Sequence, residues 1–206
     1  MPTKDDLHAF LRTRRSIRHF RPDPVPESVI ETILHTATFA PSAHNCQPWR
    51  FAVITEPAVK ARLGNAVTSK MRTDMIAVGA SDAEIEKRAA LSLQRMAEAP
   101  VVVVLCRDKN AVHANTPTET AMGMQSTALA GLQLLLAAYA EGLGGNWICW
   151  ALYAQEATRA ALDLPDDWEP QAFYFLGYPV LSPEPRTRIP TLEIVKMVTS
   201  SELKIS

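Results

Sequence analysis

The sequence predicts an α/β or α+β sandwich with one main sheet, in a single domain that spans residues 1–206. Candidate strands are separated by candidate helices along the whole chain, as in layered folds of helices on a sheet. The run VVVVLC at 101–106 is continuous and β-branched, which is typical of a strand buried on both faces. The sequence also contains no internal repeat, low-complexity tract or interdomain linker, so one domain is expected.

The first half of the chain contains four predicted helices and two predicted strands. A helix is expected at 5–14, and a second begins at Pro26, where proline suits the first helical turn, and stops at Pro41. A strand follows at 51–55, then helices at 57–70 and 82–98, before the buried strand at 101–106. The stretch 68–83 has mixed signals and is a candidate for a mobile loop or lid.

The second half of the chain begins with a long helix predicted at 118–141. Gly142 and the pair at 144–145 are expected to end it, because glycine favours the backbone that follows a helix. A strand at 147–150, a helix at 155–162 and a strand at 172–176 come next. The proline-rich segment PVLSPEPRTRIP is predicted to be extended.

Composition and cysteine spacing restrict the class of protein. The chain has 21 Lys and Arg against 22 Asp and Glu, a formal net charge of -1, which argues against a general binder of nucleic acid or anionic lipid. Cys46, Cys106 and Cys149 are far apart and have no histidine at ligand spacing, so neither a disulfide framework nor a metal site is expected. The polar N-terminus lacks an export signal, and we expect a reducing, cytoplasmic location.

One uncharged segment, at 120–140, is about long enough to cross a bilayer. It contains Gln125, Ser126, Thr127 and Gln133, which hydrocarbon would leave unsatisfied, and no Lys or Arg cluster flanks it. A buried helix is therefore the prediction, and no membrane association is expected.

Two clusters of alternating arginines are candidates for anion binding. In an extended segment, residues two apart face the same side, so Arg14, Ser16 and Arg18 can converge, as can Arg186 and Arg188. Guanidinium groups in this arrangement suit a phosphate. The alternative is that both clusters are solvated charge runs on loops.

The segment APSAHNCQPW at 40–49 is a proline-bounded loop that carries hydroxyl and amide groups. Asn and Gln side chains offer both donors and acceptors, which matches the hydrogen-bonding edge of a flavin or a base. The alternative is a helix end followed by a turn. His44 is interpreted as a surface histidine, because no acidic partner lies nearby in the sequence.

These segments together resemble the FMN-dependent nitroreductase family. The resemblance rests on RRSIR, APSAHNCQPW, GLGGNWIC and PRTRIP, in this order, and spans about residues 10–195. The stretch from AEGLGGNWICW to FYFLGYP, with KMRTDM and ASDAEIEKR before it, is most similar to the nitroreductase-like C-terminal half of coenzyme F420 gamma-glutamyl ligase. The resemblance implies an α+β fold with a central mixed sheet flanked by helices, in an intertwined homodimer.

The resemblance also implies a set of flavin-binding residues, with one FMN at each end of the dimer interface. Arg14, Arg15, Ser16 and Arg18 would hold the phosphate, the ribityl chain and the pyrimidine edge, while Arg186 and Arg188 would bind the phosphate. Ser42, Asn45 and Gln47, which follow Pro41, would come from the partner chain. The backbone at Ile148 and Cys149 would face the flavin N5 and O4, although relatives often have Gly or Glu at position 149.

The activity implied is transfer of hydride from NADH or NADPH, through the flavin, to an electron-poor acceptor such as a nitroaromatic, quinone or unsaturated metabolite. No dedicated catalytic acid or base is evident, so the flavin carries the chemistry and Arg18 is the candidate that tunes it. Two alternatives remain open: a dedicated flavin-dependent reductase of a deazaflavin (F420) precursor, and a flavin-binding protein without turnover.

Overall fold

The computed structural model describes residues 1–198 and confirms an α+β fold. Residues 199–206, the end of the predicted domain, lie outside the described residues. The helices are α1 (Lys4–Thr13), α2 (Glu27–Ala37), α3 (Pro57–Ala77), α4 (Asp82–Glu98), α5 (Pro117–Ala140), α6 (Trp150–Tyr153), α7 (Gln155–Leu162) and α8 (Thr191–Ile194). The strands are β1 (Trp49–Ile54), β2 (Val101–Asp108), β3 (Gly144–Ile148) and β4 (Trp168–Gly177).

The four strands form one sheet in the order β1-β2-β4-β3, and every neighbouring pair is antiparallel. The expected mixed sheet is therefore corrected. Two helices lie between β1 and β2, and two between β3 and β4, so the chain returns to the same end of the sheet each time. The single crossover helix α5 makes β2 and β3 run the same way, but β4 lies between them. Within residues 1–198, the one parallel pairing is the isolated bridge between Ser16 and Gly145.

The core lies on both faces of the sheet. All eight residues of β2 are buried, as the VVVVLC run predicted. One face packs against α2 and α5 through residues such as Ile33 and Leu134, and the other against α3, α4 and α7 through residues such as Leu63 and Met96. The sheet is therefore the middle of three layers.

Helix α5 passes the length and composition test for a membrane span, yet 44% of its most apolar window is buried inside the protein. Ala130, Leu134 and Ala138 on its inner face are fully buried. Its outer face is not, since Met124, Leu129 and Leu132 are 38–50% exposed. The helix ends where predicted, because Gly142 adopts φ of 74° just beyond it.

The candidate loop at 68–83 is instead mostly helical. Helix α3 continues to Ala77, and α4 begins at Asp82 behind a capping box in which Ser81 and Glu84 bond each other's backbone N–H. The two helices form a hairpin, and Lys60 of α3 connects them at its base. The buried Nζ of Lys60 donates to the carbonyl of Ala99 at 2.8 Å, just past the end of α4. Burial lowers the pKa of this ammonium.

Candidate functional site

The segment from Arg14 to Arg18 lies along the edge of β3. Ser16 forms a bridge with Gly145, and the Ile17 N–H donates to the Gly145 carbonyl at 3.1 Å. Ile17 is buried against Gly144, where an added Cβ would lie only 2.5 Å from the Ile17 side chain, so glycine is required there. Ser16 is half-buried and Arg18 is exposed, whereas Ile17 between them is buried.

A pocket of about 260 Å³ lies behind this segment and is lined by Arg14, Arg15 and the backbone at 142–145. The Nη1 atom of Arg14 is buried and has no hydrogen-bond partner. Burial lowers the pKa of Arg14, and the charges of Arg15 and Arg188 lower it further. Three guanidinium groups thus raise the positive potential around one pocket, and a buried donor faces no acceptor.

The second arginine cluster lies on an exposed, extended segment. The Arg188 guanidinium donates to the carbonyls of Arg186 at 3.4 Å and Thr187 at 3.3 Å. Arg188 lies close enough to Arg14 to affect its pKa, whereas Arg186 contributes its carbonyl to this arrangement. Arg15 also has local partners, since its Nη1 donates to the carbonyls of Arg12 and Arg14 at 2.6 and 2.9 Å.

The loop that follows Pro41 has an unusual backbone. Of the four non-glycine residues with positive φ among residues 1–198, three lie in it: His44 at 51°, Asn45 at 53° and Gln47 at 47°. Local bonds hold this shape, because the Gln47 N–H donates to the Ser42 hydroxyl and the Gln47 amide donates to Asn45 Oδ1. Backbone strain of this kind concentrates at binding sites, which favours a functional loop over an ordinary turn.

The loop and the arginine pocket contact different parts of α5. The Ala43 N–H donates to Ser126 Oγ at 3.1 Å, which fixes the loop near the middle of the helix. The arginine pocket instead includes Leu135 and Tyr139. At 1.5 Å per helical residue, these contacts are separated by about 14–20 Å along the axis. One chain therefore keeps the two predicted halves of the flavin site apart.

His44 has an acidic partner that the sequence did not reveal. Its Nε2 lies 3.4 Å from Oε1 of Glu119 in the first turn of α5, and its ring stacks on His113 at 4.7 Å between centroids. His44 is exposed, as its interpretation as a surface histidine requires, but its contact with a carboxylate was not expected. No local sequence signal marks this cluster, because its members come from three separate segments.

Ile148 and Cys149 lie where β3 ends and α6 begins. Ile148 is half-buried and Cys149 is exposed, with a free thiol. A second cavity, of about 380 Å³, opens beside α6 and is walled by α3 and α4. The sequence did not predict this cavity, because its lining residues Met71, Asp74 and Met75 at the end of α3 were interpreted as part of a candidate loop.

Among residues 1–198, no group of three or more His, Cys, Asp or Glu residues is placed to hold a metal ion.

Comparisons with known proteins connect this geometry to a family. The model of the nitroreductase family matches residues 11–178. The chain is 35% identical to a 5,6-dimethylbenzimidazole synthase from Rhodobacter capsulatus, over 85% of this chain and 84% of that protein. It is 33% identical to an NADH dehydrogenase from Thermus thermophilus, over 95% and 97% of the two chains.

A solved structure shows the same fold. The BluB-like flavoprotein from Clostridium difficile superposes with a TM-score of 0.79, at 23% identity, over 94% of this chain and 99% of that one. Because the family model covers most of the sequence and the two relatives align over 84% and 97% of their lengths, the chain belongs to the nitroreductase family.

Proposed function

We propose that the protein is an FMN-dependent oxidoreductase that passes hydride equivalents from NADH or NADPH to an electron-poor small molecule. Nitroaromatics, quinones and unsaturated metabolites are the acceptor classes. Family membership supports an oxidoreductase, and the relatives named above include an NADH dehydrogenase and a flavoprotein. Free cysteines at 46, 106 and 149 are consistent with the expected cytoplasmic location.

The arginine pocket carries this proposal, because its donors fit the phosphate of FMN. Arg14 has a buried Nη1 without a partner, and Arg15 and Arg188 add positive charge beside it. A phosphate would accept from these donors and relieve the repulsion among the three cations. Arg186, two residues from Arg188, is assigned to the same phosphate.

We assign the remaining binding roles to residues near this pocket, as the family resemblance implies. Ser16 and Arg18 lie on the same edge as the pocket and would contact the ribityl chain and the pyrimidine edge, where Arg18 contributes a cation that favours the reduced ring. The backbone at Ile148 and Cys149 would orient N5 and O4. When bound, FMN supplies the hydride chemistry at its isoalloxazine ring, and these residues supply placement and charge.

A homodimer would complete the site. The loop residues Pro41, Ser42, Asn45 and Gln47 are held too far along α5 to reach the arginine pocket of their own chain. A second copy packed against the outer face of α5 would bring its loop to that pocket, and the exposed apolar stripe of α5 suits such contact. The C-terminal segment also exposes large apolar side chains, including Leu192 and Val195, which suits an intertwined arrangement.

Absorbance of the purified protein tests the proposal directly. We expect a yellow protein with one FMN per chain, anaerobic bleaching on addition of NADH or NADPH, and reoxidation by a nitroaromatic or a quinone. A protein without flavin would contradict the cofactor assignment. A bound flavin that neither nicotinamide reduces would contradict the reductase and favour a flavin-binding protein without turnover.

A second candidate is synthesis of 5,6-dimethylbenzimidazole, which is favoured by the relative of that name at 35% identity. Mass spectrometry of aerobic reactions with FMN and NADPH would detect this product. The reductase of a deazaflavin precursor, suggested by the sequence resemblance, is a further alternative. It would be identified by reoxidation of the bleached protein with that precursor in preference to simple quinones.

A further inference from the structure

We propose that the cavity between α3, α4 and α6 binds the acceptor, and that Arg88 selects acceptors carrying an anionic group on a planar ring. This inference rests on the proposed function and names its substrate class. The cavity lies beside the assigned flavin edge, because α6 begins with Trp150, the residue after Cys149. An acceptor held here would lie next to the assigned position of N5.

The walls of the cavity suit a flat apolar body. Met71 and Met75 of α3 line one side, and Trp150 and Tyr153 of α6 line the other. Thioethers adapt to irregular ring shapes, and aromatic walls favour stacking. Trp150 is itself fixed by edge-on contacts with the buried Phe173 and Phe175 at 6.5 and 6.2 Å. A volume of about 380 Å³ is enough for a small aromatic molecule.

The charges at the cavity leave one cation to meet the acceptor. Lys70 lines the cavity, but its ammonium is bonded to the carboxylate of Asp74, also on the wall. Arg88 of α4 lines it too, and among the ion pairs formed by residues 1–198 none includes Arg88. Glu84, one turn earlier, bonds Ser81 in the capping box. The charged residues that line the cavity, Lys70, Asp74 and Arg88, therefore carry one net positive charge, which favours a carboxylate or a similar anion.

The test compares matched neutral and anionic acceptors in Arg88→Gln. For 4-nitrobenzoate, KM should rise about fivefold, the upper range for an exposed ion pair, while KM for 4-nitrobenzamide stays within about twofold. Arg88→Lys should keep most of the preference, and Lys87→Gln, which removes the neighbouring charge on α4, should leave it unchanged. The wild-type preference should also weaken as salt is added.

Equilibrium binding supplies a second readout without turnover. Calorimetric titration should show benzoate binding more tightly than benzamide to the wild type, and this difference should be lost in Arg88→Gln. Equal effects of Arg88→Gln on both nitro compounds, or a rise in KM for NADH alone, would overturn the inference while leaving the reductase intact. A wild type that no nicotinamide reduces would instead contradict the proposed function, and the benzoate titration would still decide the role of Arg88.

Discussion

Arg14→Ala should weaken the binding of the FMN phosphate without weakening the binding of the rest of the flavin. A charge-assisted hydrogen bond contributes about 1.5–3 kcal/mol, and the buried position of Arg14 Nη1 removes solvent as a competitor. Loss of one such bond raises the dissociation constant of FMN by about 10- to 150-fold. Riboflavin lacks the phosphate, so its affinity should not change. Fluorescence titration of the apoprotein with each flavin measures both constants.

The stability of the apoprotein supplies an independent check on Arg14. The buried Nη1 of Arg14 lacks a hydrogen-bond partner. Arg14→Ala removes this unpaired donor, so we expect the melting temperature of the apoprotein to rise and not to fall. Arg12→Ala is the matched control, because Arg12 contacts Arg15 through its backbone carbonyl, which the substitution keeps. Equal loss of FMN and riboflavin in Arg14→Ala, or no loss of either, would refute the phosphate assignment.

Three further predictions address assembly, redox tuning and alkaline stability. Light scattering should give twice the 22.7 kDa chain mass, and Leu132→Glu on the outer face of α5 should give a monomer that does not retain FMN; a flavin-bound monomer would contradict the shared site. Arg18→Gln should lower the flavin midpoint potential by about 30 mV for each 1.4 kcal/mol of lost preference for reduced flavin, with Arg21→Gln unchanged. Burial, aided by the charge of a nearby glutamate, raises the pKa of the Cys106 thiol from 9.0 to about 12. Between pH 9 and 12 the folded state therefore keeps a proton that the unfolded state loses, so the free energy of unfolding should fall as the pH rises through this range. This fall should be seen in the wild type and in Cys46→Ala, and it should be smaller in Cys106→Ala.

Strong local signals made much of the fold predictable. The β-branched run of β2 and helix α7, at Gln155–Leu162 as expected, have patterns that tertiary contacts did not override. The end of α3 was missed because none of residues 69–77 is buried, so the sequence there needs no apolar stripe to mark a helix. The order of the strands could not be predicted from local sequence patterns, because β4, the last strand along the chain, lies between β2 and β3 in the sheet.

The candidate site likewise has features that local sequence predicts and features that depend on tertiary contacts. The change in burial from Ile17 to Arg18 was predictable, because alternation in an extended chain is a local property, whereas the convergence of Arg14, Ser16 and Arg18 on one anion stays a prediction. The contact of His44 with Glu119 was not, since it joins residues far apart in the sequence. The positive φ values of the loop were also hidden, because His and Gln rarely adopt them without tertiary support.

The hairpin of α3 and α4 has a consequence for how such a protein can diverge. Its base is fixed, because Ile54 pairs with Val102 across the neighbouring strands and Lys60 secures the end of α4. Its tip, where Ile76 and Val78 are exposed, carries no strand and no core contact of this kind. Insertions at the tip would cost little, since closure entropy grows slowly with loop length. Evolution can therefore change the hairpin tip beside the cavity while the structures of the sheet and of the arginine pocket stay the same.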